Sequence, residues 1–181
     1  MTAAIAGAAA GVFIGLVLLG AALMKVRRWT AFRGVVASYQ LLPEALVAPF
    51  AWLLPPVEAA VGAAVILRLA FPWTAWIAAG LFVLFAIAMA LNLIRGRTFI
   101  DCGCFQSALR QPLEWRLVAR NIALAAVALC LPAASAGLEH ASDVWLVVLP
   151  ASLTFYGLYL ALNSVWALDD SARSAFPRTH A

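Results

Sequence analysis

Charge is scarce in this sequence: only 11% of its 181 residues are Asp, Glu, Lys or Arg, while 66% belong to the hydrophobic set. A soluble domain is about one quarter charged, so this chain has too few polar side chains to cover a surface in water. The shortage excludes a soluble enzyme, a disordered chain and a nucleic-acid-binding domain. The three cysteines are too few for a secreted disulfide scaffold. No haem, flavin or nucleotide motif occurs, and so no cofactor is indicated by motif. The net charge of +4 does not point to DNA. In a chain of mean hydropathy +0.98 it sets membrane orientation instead.

What is present is long apolar runs. A spanning helix needs about 20 largely apolar residues, and five stretches come close: 2–24, 46–70, 73–94, 117–131 and 144–168. They are too long for barrel strands and lack strand alternation. The expected fold is therefore all-α, a polytopic membrane bundle of four to five helices in one domain, with a loop at 95–116 and a short tail at 169–181. The first stretch is uncharged and its positive residues Lys25, Arg27 and Arg28 follow it, so it reads as a retained helix and not a signal peptide. In the second, Pro49 and the pair Pro55-Pro56 predict either a bent span or a short re-entrant piece at 46–54 followed by a helix from Pro55. Trp29, Trp73, Trp76, Trp115, Trp145 and Trp166 fall near span ends, at the depth amphipathic rings prefer.

If five spans alternate, every Lys and Arg except Arg68 falls on one side of the membrane. The positive-inside rule then places the N-terminus outside and the C-terminus in the cytoplasm. Alternation also gathers the polar residues. Lys25, Asn92, Arg95, Arg120, Asn121 and Asn163 lie on the face that carries Cys102 and Cys104, and Glu58 joins them if the helix restarts after Pro56. An ionisable group inside an apolar span is by default a functional-site candidate. Glu58 reads either as a structural carboxylate near a helix start, paired with Lys25 or Arg120, or as a proton relay or ligand anchor beside the thiols.

The segment Arg95-Gly-Arg-Thr-Phe-Ile-Asp-Cys-Gly-Cys-Phe-Gln is the most specific chemistry in the chain. Two thiols one residue apart can close a small strained disulfide that oxidises well, and Gly103 accepts the backbone angles a tight ring demands. Arg95, Arg97 and Arg110 favour thiolate, and Asp101 opposes it. Three readings stay open: a redox pair formed by Cys102 and Cys104, a structural bond, and a soft-metal or small-ligand site in a transporter or binding protein. Two thiols with no histidine near them make a thin metal site, and no metal is assigned. Cys130, inside an apolar run, is expected to be a buried packing residue.

The succession of Lys25-Val-Arg, Val35-Val-Ala-Ser-Tyr-Gln-Leu-Leu-Pro43, Pro55-Pro-Val-Glu58, Asp101-Cys-Gly-Cys-Phe105 and Trp115-Arg-Leu-Val-Ala-Arg-Asn121 resembles the methylamine utilisation protein MauE family. These are bacterial inner-membrane proteins related to DoxX-like four-helix bundles. The resemblance runs over about residues 15–131. It implies work with a thioredoxin-like partner of the MauD type in processing, export or maturation of the disulfide-rich small subunit of methylamine dehydrogenase, or of a related client. Cys102 and Cys104 match the family's cysteine pair, and Glu58 its bundle acid. Gln106 stands where a glycine often follows Cys-Gly-Cys-Phe. The implied partner works outside the cytoplasm, whereas the charge distribution puts the cysteines inside. An outward basic loop would reconcile the two, as would four full spans plus a re-entrant segment. So would electron exchange with a membrane quinone or a cytosolic reductant.

Overall fold

The computed structural model describes residues 2–98, 100, 113–134 and 145–175, with side chains as far as 169. Cys102, Cys104, Arg110 and His140 lie outside the described residues. Within them the structure is all-helical: α1 (Thr2–Arg27), α2 (Trp29–Tyr39), α3 (Glu44–Ile66), α4 (Trp73–Ile94), α5 (Trp115–Ala134) and α6 (Trp145–Ala175). All except α2 are long and apolar enough to cross a membrane. At 1.5 Å per residue, the 22 residues of α4 reach about 33 Å, slightly more than a hydrocarbon core of about 30 Å. The expected polytopic helical bundle is what the structure shows.

Helix α1 packs on α3, α5 and α6, and α4 closes a ring by packing on α3 and α5. Long-range contacts give the directions. Lys25 meets Glu58 while Gly15 meets Gly62, so α3 runs back along α1. Gly7 meets Ala134, which sets α5 antiparallel to α1. Ser152 donates to the Ala9 carbonyl and the Phe13 and Tyr159 rings meet edge to face, so α6 runs parallel to α1 on the outside of the ring. The core of the ring is formed by Ile14, Leu18, Ala75, Ala78, Phe82, Leu124 and Ala128. Outward lie Leu53, Ile77, Ile87, Ile122, Leu146 and Leu153, each more than half exposed. So much apolar surface suits contact with lipid tails.

Three features depart from the sequence expectations. The stretch 46–66 is neither re-entrant nor restarted at Pro55, because α3 is one helix with Pro49, Pro55 and Pro56 inside it. Proline deprives the carbonyl four residues earlier of its helix donor, but neighbouring helices make this tolerable inside a bundle. Glu58 is therefore mid-helix, and no helix start stabilises its charge. Second, the connection after α1 contains a further helix, α2, of 11 residues, too short to span. Phe32 is buried and Val35, Val36 and Tyr39 half-buried, while Arg33, Gly34, Ala37 and Ser38 are exposed, the pattern of a helix lying along the bundle with one apolar side covered. Third, Cys130 is exposed on the outer side of α5 near Val127 and Leu129, because an apolar run in lipid does not require burial in protein.

Helices in a bilayer gain little from burying apolar side chains against one another, so close backbone approach matters more. At the α1–α3 crossing a Cβ added to Gly62 would lie 2.8 Å from the Gly15 carbonyl oxygen, and one added to Gly15 would lie 2.7 Å from the Gly62 oxygen. A methyl group at either position collides with rigid backbone. Gly62→Ala is expected to lower stability by about 1–3 kcal/mol, whereas Gly80→Ala, with open space around it, is neutral or stabilising by up to about 1 kcal/mol. Thermal unfolding of the detergent-solubilised chain checks both.

Candidate functional site

The polar residues of the spans concentrate at the end of the bundle where α1 finishes. Lys25, in the last turn of α1, places Nζ 2.5 Å from Oε1 and 2.7 Å from Oε2 of Glu58. Glu58 is fully buried and Lys25 is 5% exposed. The ammonium also lies 5.6 Å from the ring centre of Phe32 on α2 and 5.1 Å from that of Phe85 on α4. Ring faces attract cations, more so away from water. Four elements thus meet around one charge pair.

A cavity of about 190 Å³ opens beside this pair. Its walls are apolar and aromatic, with Phe32, Val36 and Tyr39 from α2, Phe50 and Leu54 from α3, and Phe85, Ala88 and Met89 from α4. Lys25 is the charged residue in the lining.

The other candidates at this end are held differently. Asn92 and Asn121 are buried, and each donates from Nδ2 to the carbonyl one turn back in its own helix, Ala88 at 3.0 Å and Leu117 at 2.9 Å. Asn92 Oδ1 is buried with no hydrogen-bond partner among the described residues. Arg120 donates to Asn163 Oδ1, and its guanidinium lies 5.9 Å from the Tyr159 ring centre. With Arg116, which reaches Asp169 at 3.9 Å, it joins α5 to α6 and lines a groove there with Trp166. Lys25, one of the two partners expected for Glu58, pairs with it, and Arg120 also lines the groove between α5 and α6. Arg95 is exposed at the end of α4.

The chain leaves α4 through a Schellman motif. Gly96 has φ +72°, its N–H donates to the Leu93 carbonyl, and the Arg97 N–H donates to the Asn92 carbonyl. The left-handed angle favours glycine here. Beyond it the Leu113 N–H is shared by the carbonyls of Thr98 and Ile100, both at 3.1 Å, which brings the two ends of the intervening segment together. Ile100 and Leu113 are buried with Met89 and Leu117, and Tyr39 and Phe85 pack against them. Met89, Tyr39 and Phe85 also line the cavity, so Ile100 and Leu113, which flank the segment containing Cys102-Gly103-Cys104, pack against one wall of it.

The model of the family described as methylamine utilisation protein MauE matches residues 3–134. The chain belongs to the MauE family. The matched region covers α1 to α5, which includes the whole four-helix ring and leaves α6 outside it. The chain is 43% identical over 155 residues to the methylamine utilization protein MauE of Paracoccus denitrificans, covering 78% of this chain and 83% of that one. It is 42% identical over 167 residues to the protein of the same name from Methylorubrum extorquens, covering 90% and 88%. A third relative of that name, from Paracoccus versutus, is 37% identical over 160 residues, 86% and 84% of the two chains. No solved structure matches the chain.

The cavity is what sequence reasoning could least resolve. Glu58 paired with Lys25 was one of the two pairings the sequence offered, but the aromatic walls come from three helices and no local pattern links them. Removing one partner of a buried pair leaves an uncompensated charge, at a cost of about 3–5 kcal/mol. Lys25→Met and Glu58→Leu are each expected to destabilise the bundle by that amount, and the double variant to recover most of the loss. Unfolding in detergent measures this, and additive losses would show that the pair is not a unit.

Proposed function

We propose that this MauE family protein serves methylamine utilisation as an inner-membrane partner in thiol–disulfide chemistry, with Cys102 and Cys104 cycling between dithiol and disulfide. The client is a disulfide-containing protein such as the small subunit of methylamine dehydrogenase, reached through a thioredoxin-like protein of the MauD type. The observation that carries this reading is the pinned departure and return of the chain at Ile100 and Leu113. Ile100 and Leu113, the described residues on either side of the segment that contains the close cysteine pair of the sequence, are held together at the polar end of the bundle, which supports this reading. The names of the relatives support the methylamine context.

In this scheme two thiols lose two electrons and two protons as the S–S bond forms, and an acceptor takes both. Reduction reverses the flow. Gly103 permits the short ring, and the arginines flanking the pair favour the attacking thiolate. The buried Lys25–Glu58 pair fixes the helices on which this end is built.

Trapping free thiols in cells with an alkylating reagent, followed by mass spectrometry, tests the cycle. Cys102 and Cys104 are expected to shift together between reduced and oxidised forms when the thioredoxin-like partner is deleted or trapped. A pair that stays in one state whatever the partner does overturns the reading. Cys102→Ser or Cys104→Ser is expected to abolish formation of the mature client. The side is tested in a Cys130→Ala background with a membrane-impermeant thiol reagent: direct exchange with a partner outside the cytoplasm requires labelling on intact cells, whereas the charge distribution predicts labelling in lysates alone. Labelling of intact cells would place the pair outside and overturn that orientation.

A further inference from the structure

We propose that the cavity beside Lys25 binds the ring of a membrane quinone. Volume is the first argument. A 150 Å³ apolar cavity holds benzene, and about 190 Å³ suits a single ring with small substituents. The walls are the second. Phe32, Phe50, Phe85 and Tyr39 offer flat faces to a flat ligand.

The third argument is access. Leu84 is part of the lining and is 46% exposed on the outer side of α4, on the same stripe as Ile87 and Leu91, which are 51% and 39% exposed. The lining of the cavity therefore reaches the apolar flank of the bundle. A ligand arriving there comes from the lipid, and a tail attached to the ring can remain in it.

The fourth argument separates a quinone from a plain acyl chain. An ammonium has three donors, and the described hydrogen bonds of Lys25 take two, both to Glu58. A hydrocarbon chain would leave the third facing apolar walls, at the cost of an unmade bond to a charged group. A ring carbonyl accepts it. The same cation, held between Phe32 and Phe85, marks the end of the cavity where the carbonyl belongs.

Joined to the thiol chemistry proposed above, on which this further step rests, the site supplies an electron acceptor. The Cys102 and Cys104 thiols give up two electrons and two protons and become a disulfide. The quinone takes both pairs and leaves as the quinol. Met89, Tyr39 and Phe85 are common to the cavity wall and the packing of Ile100, two residues before Cys102.

The test uses the full chain in lipid nanodiscs and a benzoquinone with a ten-carbon tail as probe, with decanol as the control, read by calorimetric titration. The probe is expected to bind and decanol not to. Ala88→Phe, which projects a ring into the cavity, is expected to weaken binding at least about tenfold while helix content and melting are kept. Lys25→Met/Glu58→Leu, which removes the donor without stranding a charge, is expected to weaken it about tenfold, as loss of one hydrogen bond to a charged donor would. Equal binding of decanol, or unchanged binding in Ala88→Phe, overturns the proposal. The Cys102→Ser/Cys104→Ser variant keeps ring binding, which makes the two readings separable. In the reduced anaerobic wild type, quinone addition is expected to form the disulfide and consume the quinone absorbance in equal amounts. Binding without that oxidation overturns the electron-transfer step and leaves the cavity assignment standing, while the thiol cycle itself is decided by the trapping experiment above.

Discussion

The bundle depends on one interaction, the contact of Lys25 with Glu58. An acid or a lysine at the middle of a membrane helix costs about 2.5–3.5 kcal/mol on insertion scales, and Glu58, fully buried in the interior of α3, has no route to the headgroups. Only a cation delivered by another helix makes that position tolerable. The close approach of Gly15 and Gly62 follows from the same requirement, since α1 and α3 must run near enough for a lysine to bridge both carboxylate oxygens. Phe32 and Phe85 then fit around the ammonium, which draws α2 and α4 to the same point. The cavity is the space these four elements leave beside it.

The polar end divides into two parts with different partners. Lys25 and Glu58 belong to the ring of α1, α3 and α4. Arg116, Arg120, Asn163 and Asp169 join α5 to the outer helix α6. The family match ends where α5 ends, so the part of the molecule it covers is the part that holds the buried charge pair, the apolar cavity and the base of the cysteine segment. Helix α6, which packs along α1 through Val148, Ser152 and Tyr159, adds a second set of polar contacts without entering the ring.

Much of this was legible in the sequence because a bilayer limits the choices. Runs of about 20 apolar residues announce the spans, and alternation alone brings Lys25, Asn92 and Arg120 to one end, whereas Glu58 joins them from the interior of a continuous α3 and not from a restarted helix. Other features were hidden for physical reasons. Pro49, Pro55 and Pro56 signal a break to any local rule, yet packing on α1 and α4 carries the helix through them. Helix α2 is too short for a span-length search, although the spacing of Trp29, Phe32, Val36 and Tyr39 was the trace of its covered side. Cys130 illustrates the opposite error: in water an apolar run implies burial, while in lipid it implies only that the residue avoids the aqueous phase. That Lys25 reaches Glu58 is a matter of which helices are neighbours, and single-chain patterns do not carry that.

The sequence separation of 33 between Lys25 and Glu58 has a consequence for biosynthesis. The ribosome delivers Lys25 first, and until α3 has followed it the ammonium has no counter-ion. Its place in the last turn of α1 solves this, because a long lysine stem near a helix end can hold its charge among the headgroups while it waits. Glu58, made second and deep in its helix, has no such refuge and must meet its partner as α3 enters. The seating of Glu58 thus rests on a cation that α1 has already brought to the membrane.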